Sequence, residues 1–133
     1  MGDKNALAQG IDKQASVLLV EDDHALRRML EVTLRRAGYH VISAADGVEA
    51  MKLALSSPVD IVVTDAMMPN LSGQEFCRLL RGSPNLSHIK IILLSGLERE
   101  EGSPERELAD AFLSKPVLKQ DLTDCIERLL LSA

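Results

Sequence analysis

Glu21, Asp22, Asp65, Ser95 and Lys115 have the side-chain types that phosphoryl chemistry uses. Three carboxylates brought together repel and raise one another's pKa values. A hard divalent cation such as Mg²⁺ resolves that conflict. It takes a few carboxylate and carbonyl oxygens and keeps water for the rest of its octahedron. A lysine on the opposite side offers a point charge to a phosphate oxygen, and a serine offers a hydroxyl donor. With charge balanced in this way, Asp65 is suited to act as a nucleophile toward phosphorus. Taken singly, each residue has a plainer role. Asp65 could cap the helix that Leu71-Ser72-Gly73 leads into, and Glu21 and Asp22 could cap the first helix. Ser95 could be a turn residue, Lys115 a solvated lysine, and Pro116 the end of a strand. The chemistry therefore depends on whether the fold brings these residues to one place.

Most of these residues follow a short apolar run. Val17-Leu18-Leu19-Val20 ends on Glu21-Asp22-Asp23. Ile61-Val62-Val63-Thr64 ends on Asp65, and Pro69 stops regular structure soon after. The run from Ile89 to Leu94 ends on Ser95-Gly96, and Ala111-Phe112-Leu113 is followed by Ser114-Lys115-Pro116. Continuous runs of this kind read as strands buried on both faces, as in a parallel sheet. Val41-Ile42 is a further short strand.

Helical periodicities lie between them. Leu26, Met29, Leu30, Thr33, Leu34 and Ala37 form an apolar stripe, with Arg27, Arg28, Arg35 and Arg36 mostly opposite and Gly38 as the C-cap. After a turn at Asp46-Gly47, Val48, Met51, Ala54 and Leu55 mark a helix stopped before Pro58. A third helix over about 74–81 buries Phe76, Leu79 and Leu80, and Gly82-Ser83-Pro84-Asn85 is a loop. In 97–110, Gly102 breaks any helix begun at Glu98, and Ser103-Pro104 offers a new cap and first helical position. The last helix, about 119–131, turns Leu122, Ile126, Leu129 and Leu130 inward.

Five β-α units in strict alternation imply a parallel sheet with helices on both faces, joined by right-handed crossovers. In such sheets ligands gather at the carboxyl ends of the strands, at the topological switch point. If the strand order is 2-1-3-4-5, strands one and three are neighbours and the three carboxylates converge. The plainer roles would then have to hold independently at one edge of one sheet.

Composition narrows the classes. A chain of 133 residues is long enough for one domain with a core. We expect a flexible tail over 1–15 and one domain over 16–133. The net charge of −5 argues against direct nucleic-acid binding, and one Tyr, two Phe and no Trp exclude an aromatic stacking platform. No apolar run approaches membrane-spanning length. The N-terminus lacks a signal-peptide core, and Ala6 stands where a myristoylation motif wants Ser or Thr. Cys77 and Cys125 lack metal-ligand spacing and read as buried free thiols of a cytoplasmic protein.

As a set, Val17–Asp23, Asp60–Pro69 with Gly73, Ile91–Gly96 and Phe112–Pro116 resemble the signatures of the response-regulator receiver domain of two-component signalling, over roughly 16–131. The resemblance implies a flavodoxin-like doubly wound (βα)5 fold. It implies that Asp65 is the phospho-acceptor, supplied by a histidine kinase or histidine phosphotransfer protein. Glu21 and Asp22 would hold Mg²⁺, with Asp65 and the backbone carbonyl of Met67 completing the protein ligands. Lys115 would contact the phosphoryl group, Ser95 would be the switch hydroxyl and Phe112 the switch aromatic. The Lys115–Pro116 peptide would be cis. Such a domain is a signalling switch rather than an enzyme, catalysing only its own phosphorylation and dephosphorylation. It would act as a monomer or a phosphorylation-dependent dimer on a downstream effector. No effector-like stretch follows Ala133, which fits a stand-alone receiver or a piece of a longer protein.

The sequence departs from that pattern between Ser95 and Lys115. Leu108 stands where the family often has Gly, and Gly102 and Pro104 interrupt the stretch, so the fourth helix is expected to be short or irregular. We expect Leu97–Asp110 to be the most mobile part of the domain after the tail. Two other functions fit less well. A flavin or nucleotide module wants a Gly- or hydroxyl-rich phosphate loop after strand one, where Glu21-Asp22-Asp23 is acidic. A Mg²⁺-dependent phosphatase with an Asp nucleophile wants a second acid beside it, and Ala66-Met67-Met68 supplies none.

Overall fold

The strands are β1 (Ser16–Val20), β2 (His40–Ala44), β3 (Ile61–Asp65), β4 (Lys90–Ser95) and β5 (Ala111–Ser114). The helices are α1 (His24–Arg36), α2 (Gly47–Ser56), α3 (Gly73–Gly82) and α4 (Lys119–Leu131). The computed structural model describes residues 15–68, 70–96 and 108–132. Residues 1–14 of the expected tail, Pro69, and residues 97–107 of the irregular and mobile stretch expected over Leu97–Asp110 lie outside the described residues.

All strand pairs are parallel, in the order β2-β1-β3-β4-β5. The architecture is α/β with a flavodoxin-like doubly wound sheet. Alternate residues of each central strand point to opposite faces, so a continuous apolar run fills two cores. Leu18, Val20, Val62, Ile91 and Leu93 pack with Ala50, Ala54, Phe76, Cys77 and Leu80 from α2 and α3. Val17, Leu19, Ile61, Val63, Ile92 and Leu94 pack with Leu30, Leu34, Leu122, Cys125 and Ile126 from α1 and α4. Both cysteines are buried, and neither is in a disulfide.

The buried helix faces are narrower than the apolar spacing suggests. Met29, Val48, Leu55 and Leu79 are exposed. Small residues such as Ala50, Ala54 and Cys77 let the helices approach the sheet closely, which leaves flanking apolar side chains outside the contact. Several boundaries also move. Strand β2 is five residues long, not two, because each residue pairs with one of β1. Gly47 is the first residue of α2 rather than part of a turn before it, because Asp46 caps the helix through the Glu49 N–H. Gly82 closes α3 instead of opening a loop.

Arg81 fastens the far end of this framework. It donates to the carbonyls of Leu108 (2.9 Å) and Ile89 (2.7 Å) and to the Asp110 carboxylate (2.6 Å), which also accepts the Ile91 N–H. That cross-link sets where β5 begins. No helix among the described residues is long and apolar enough to cross a membrane.

Candidate functional site

Register places the polar strand ends side by side. Val20 pairs with Thr64, so the next residues, Glu21 and Asp65, lie at the same height on neighbouring strands. Asp65 pairs with Leu94, and Ser95 pairs with Ser114, immediately before Lys115. The Lys115 N–H donates to the Ser95 carbonyl at 2.8 Å. The Lys115–Pro116 peptide is cis.

From β5, the Lys115 stem reaches past β4 to the end of β3. Its Nζ lies 2.8 Å from Asp65 Oδ2 and 3.4 Å from Glu21 Oε1. The other Asp65 oxygen, Oδ1, accepts the Met67 N–H at 3.1 Å. Carboxylate oxygens of Glu21, Asp22 and Asp65 fall within 4.8 Å of one another. Glu21 and Asp65 are buried, whereas Asp22 is exposed. The sequence-predicted Glu21, Asp22, Asp65 and Lys115 thus form one cluster.

The electrostatics are those of a crowded acidic site held by one cation. Burial pushes the Glu21 carboxyl up; the Asp23 N–H bond pulls it down, Asp65 pushes it up and Lys115 pulls it down, leaving it at about 7. Burial opposes the charge on Lys115, but the hydrogen bond and charge of Asp65, followed by Glu21, outweigh it and raise its pKa. Two buried oxygens, Glu21 Oε1 and Ser95 Oγ, have no well-formed hydrogen bond among the described residues; Oε1 has only the long 3.4 Å contact to Lys115 Nζ. Three hard oxygen donors with one buried lone pair unmet are the donor set that Mg²⁺ takes. Phe112 is partly buried and packs against the core under α2 and α3.

The plainer capping roles go to other residues. Ser72, not Asp65, caps α3, in a reciprocal capping box with Glu75. Asp23, not Glu21 or Asp22, caps α1 by accepting the Leu26 N–H. Asp23 also donates its N–H to Glu21 Oε2 at 3.1 Å, and Arg27 Nη1 donates to the Glu21 carbonyl at 2.8 Å. Sequence reasoning missed both supports. The Asp23-to-Leu26 spacing is an N-cap signal that could have freed Glu21 and Asp22 for the site. Arg27 reads only as part of a polar helix face.

A doubly wound sheet of this order, with carboxylates and a lysine at its switch point, defines the signal-receiver class. The response regulator receiver domain model matches residues 17–127. The chain belongs to that family of two-component signalling domains.

It is 37% identical over 114 residues to the response regulator MprA of Mycobacterium tuberculosis, covering 86% of this chain and 50% of MprA. It is 34% identical over 119 residues to the response regulator receiver protein CpdR of Brucella abortus, covering 88% of this chain and 98% of CpdR. The structure of the response regulator TrrA of Thermotoga maritima in complex with Mg²⁺-BeF superposes with a TM-score of 0.80 at 28% identity, covering 87% of this chain and 99% of that one. The chain spans about half the length of several curated relatives it matches.

Proposed function

We propose that Asp65 accepts a phosphoryl group from a histidine kinase or histidine phosphotransfer protein, with Mg²⁺, and that the domain is a phosphorylation-driven switch acting in the cytoplasm. One observation carries this reading. Lys115 Nζ is 2.8 Å from Asp65 Oδ2, in a cluster where Glu21 and Asp22 oxygens also converge. The Mg²⁺-BeF complex of TrrA supports it.

A carboxylate oxygen of Asp65 forms a bond to phosphorus as the phosphorus–nitrogen bond to the donor histidine breaks. The electron pair returns to the imidazole, which leaves and takes up a proton. Lys115 and the Ser95 hydroxyl donate to the transferred phosphoryl oxygens. Glu21, Asp22, Asp65 and the Met67 carbonyl would hold Mg²⁺, which supplies positive charge against the phosphoryl and carboxylate oxygens. The new charge draws Ser95 inward, and Phe112 turns into the space it leaves. A downstream effector, joined to this domain or separate from it, reads the change. The domain works as a monomer or a phosphorylation-dependent dimer, without direct contact to nucleic acid or membrane.

Incubation with acetyl phosphate and Mg²⁺, followed by intact-mass measurement, tests this. Wild type should gain one phosphoryl mass and Asp65→Asn none, with the fold intact by circular dichroism. Labelling of Asp65→Asn at the wild-type rate would overturn the assignment.

A further inference from the structure

The N-terminus of α2 lies against Leu71, which precedes α3. Gly47 is buried, and a Cβ built there would overlap the Leu71 carbonyl oxygen and lie 2.6 Å from Leu71 Cβ and 3.0 Å from the Leu71 carbonyl carbon. Two of those three atoms are backbone, so no side-chain rotation relieves the clash.

Two residues on, Gly73 meets the acceptor itself. A Cβ there would overlap the Asp65 carbonyl oxygen and lie 2.9 Å from Ala66 Cα, and the Gly73 N–H donates to the Ala66 carbonyl at 3.2 Å. A polar tie lies alongside. Asn70, in the left-handed region at φ 70°, donates from Nδ2 to Asp46 Oδ2 at 3.3 Å. Asp46 Oδ1 meanwhile accepts the Glu49 N–H at 2.8 Å.

We propose that the capped start of α2, Asp46-Gly47, is a positioning element for the reaction. It sets the height of Asn70 and Leu71, and through the contacts of Gly73 with Asp65 and Ala66 it aligns the Met67 backbone with the Asp65 carboxylate. The segment from Asn70 to Gly73 is packed on two sides, each where a glycine leaves room only for hydrogen. At Leu71 it rests on α2, and at Gly73 it rests on the acceptor backbone. Met67 reports the alignment directly, because its N–H holds Asp65 Oδ1 at 3.1 Å. A displacement of the loop by about 1 Å is of the size that costs about a hundredfold in rate when reacting groups are misplaced. Neither Asp46 nor Gly47 touches the transferred group. This inference rests on the reading of Asp65 as phospho-acceptor.

The test is the rate of acetyl phosphate labelling at saturating Mg²⁺, with the Mg²⁺ dissociation constant, the thermal midpoint and the Asp65 and Met67 amide resonances measured beside it. Gly47→Ala should slow labelling by about 10- to 100-fold and shift both resonances. Gly82→Ala should label at the wild-type rate, since a Cβ there meets nothing within 4 Å. Asn70→Gly keeps the left-handed backbone and removes only the tie to Asp46. It should slow labelling several-fold with little change in thermal midpoint, which a purely structural contact would not do.

A folded Gly47→Ala that labels at the wild-type rate with unmoved resonances overturns the proposal. If Gly47→Ala does not fold, Asn70→Gly decides, and wild-type rate and Mg²⁺ affinity in that variant overturn it. A wild-type chain that takes no label overturns the acceptor assignment itself, and this inference with it.

Discussion

Lys115 is shared between two acids, at 2.8 Å from Asp65 and 3.4 Å from Glu21, and that sharing sets what its removal does. Lys115→Ala leaves two neighbouring buried carboxylates without their cation. The metal-free thermal midpoint should fall. Mg²⁺ should still bind, because the oxygen donors remain, while the response to phosphorylation weakens. A loss of Mg²⁺ affinity as large as that of Asp22→Ala would contradict this division of roles. Asp22 is the exposed member of the acidic cluster, so it can meet a hydrated cation at little desolvation cost. Asp22→Ala relieves carboxylate repulsion, and the metal-free stability should hold or rise. Mg²⁺ affinity should drop about tenfold or more, equivalent to about 1.4 kcal/mol. A calorimetric Mg²⁺ titration matching wild type would refute it.

Elements are tied to one another by polar side chains as well as by the apolar cores. Glu31 on α1 accepts the Ser43 hydroxyl of β2 at 2.6 Å and faces Arg28 at 3.4 Å and Arg35 at 3.7 Å. The Ser43 hydrogen bond holds the Glu31 carboxyl below its ordinary 4.5; burial opposes this, and Arg35 and Arg28 add to it. A carboxyl with a depressed folded-state pKa binds fewer protons when folded than when unfolded. Its stabilisation is therefore complete above the unfolded value and disappears as pH falls through the folded one. Glu31→Gln should be less stable than wild type at pH 7 by about 1 kcal/mol at most, since both arginines are largely solvated. Urea titrations from pH 7 to 3 should show that difference closing below about pH 4.5. A difference that is constant or grows in acid would remove Glu31 as the cause.

Across the whole molecule, the question is whether one hydroxyl can drive a switch. A hydrogen bond to a charged group is worth roughly 1.5–3 kcal/mol. Moving a two-state equilibrium from 1:99 to 99:1 takes about 5.5 kcal/mol. Ser95 alone falls short, so the proposed switch calls on Lys115 and a bound Mg²⁺ as well. Beryllofluoride with Mg²⁺ should therefore protect amides around Ser95, Phe112 and 97–110 together in hydrogen exchange. Protection confined to α1 would point to a response through another face. Arg81 bounds the region expected to respond, since it anchors Leu108 and Asp110 to α3.

The strands and their polar ends were legible in the sequence, because a strand buried on both faces appears as an unbroken apolar run. Its end appears as the first acid at Glu21 and Asp65 and as the first hydroxyl at Ser95, which is how these residues stood out. The α1 stripe and α4 were legible for the same reason, at helical spacing. Tertiary structure alone decided which acid is buried and that Lys115 reaches past β4 to Asp65. It also decided that Gly47, far from Leu71 in sequence, packs against it. These features follow from strand order and register. Both are set by pairing between distant segments, and neither leaves a periodicity in the chain.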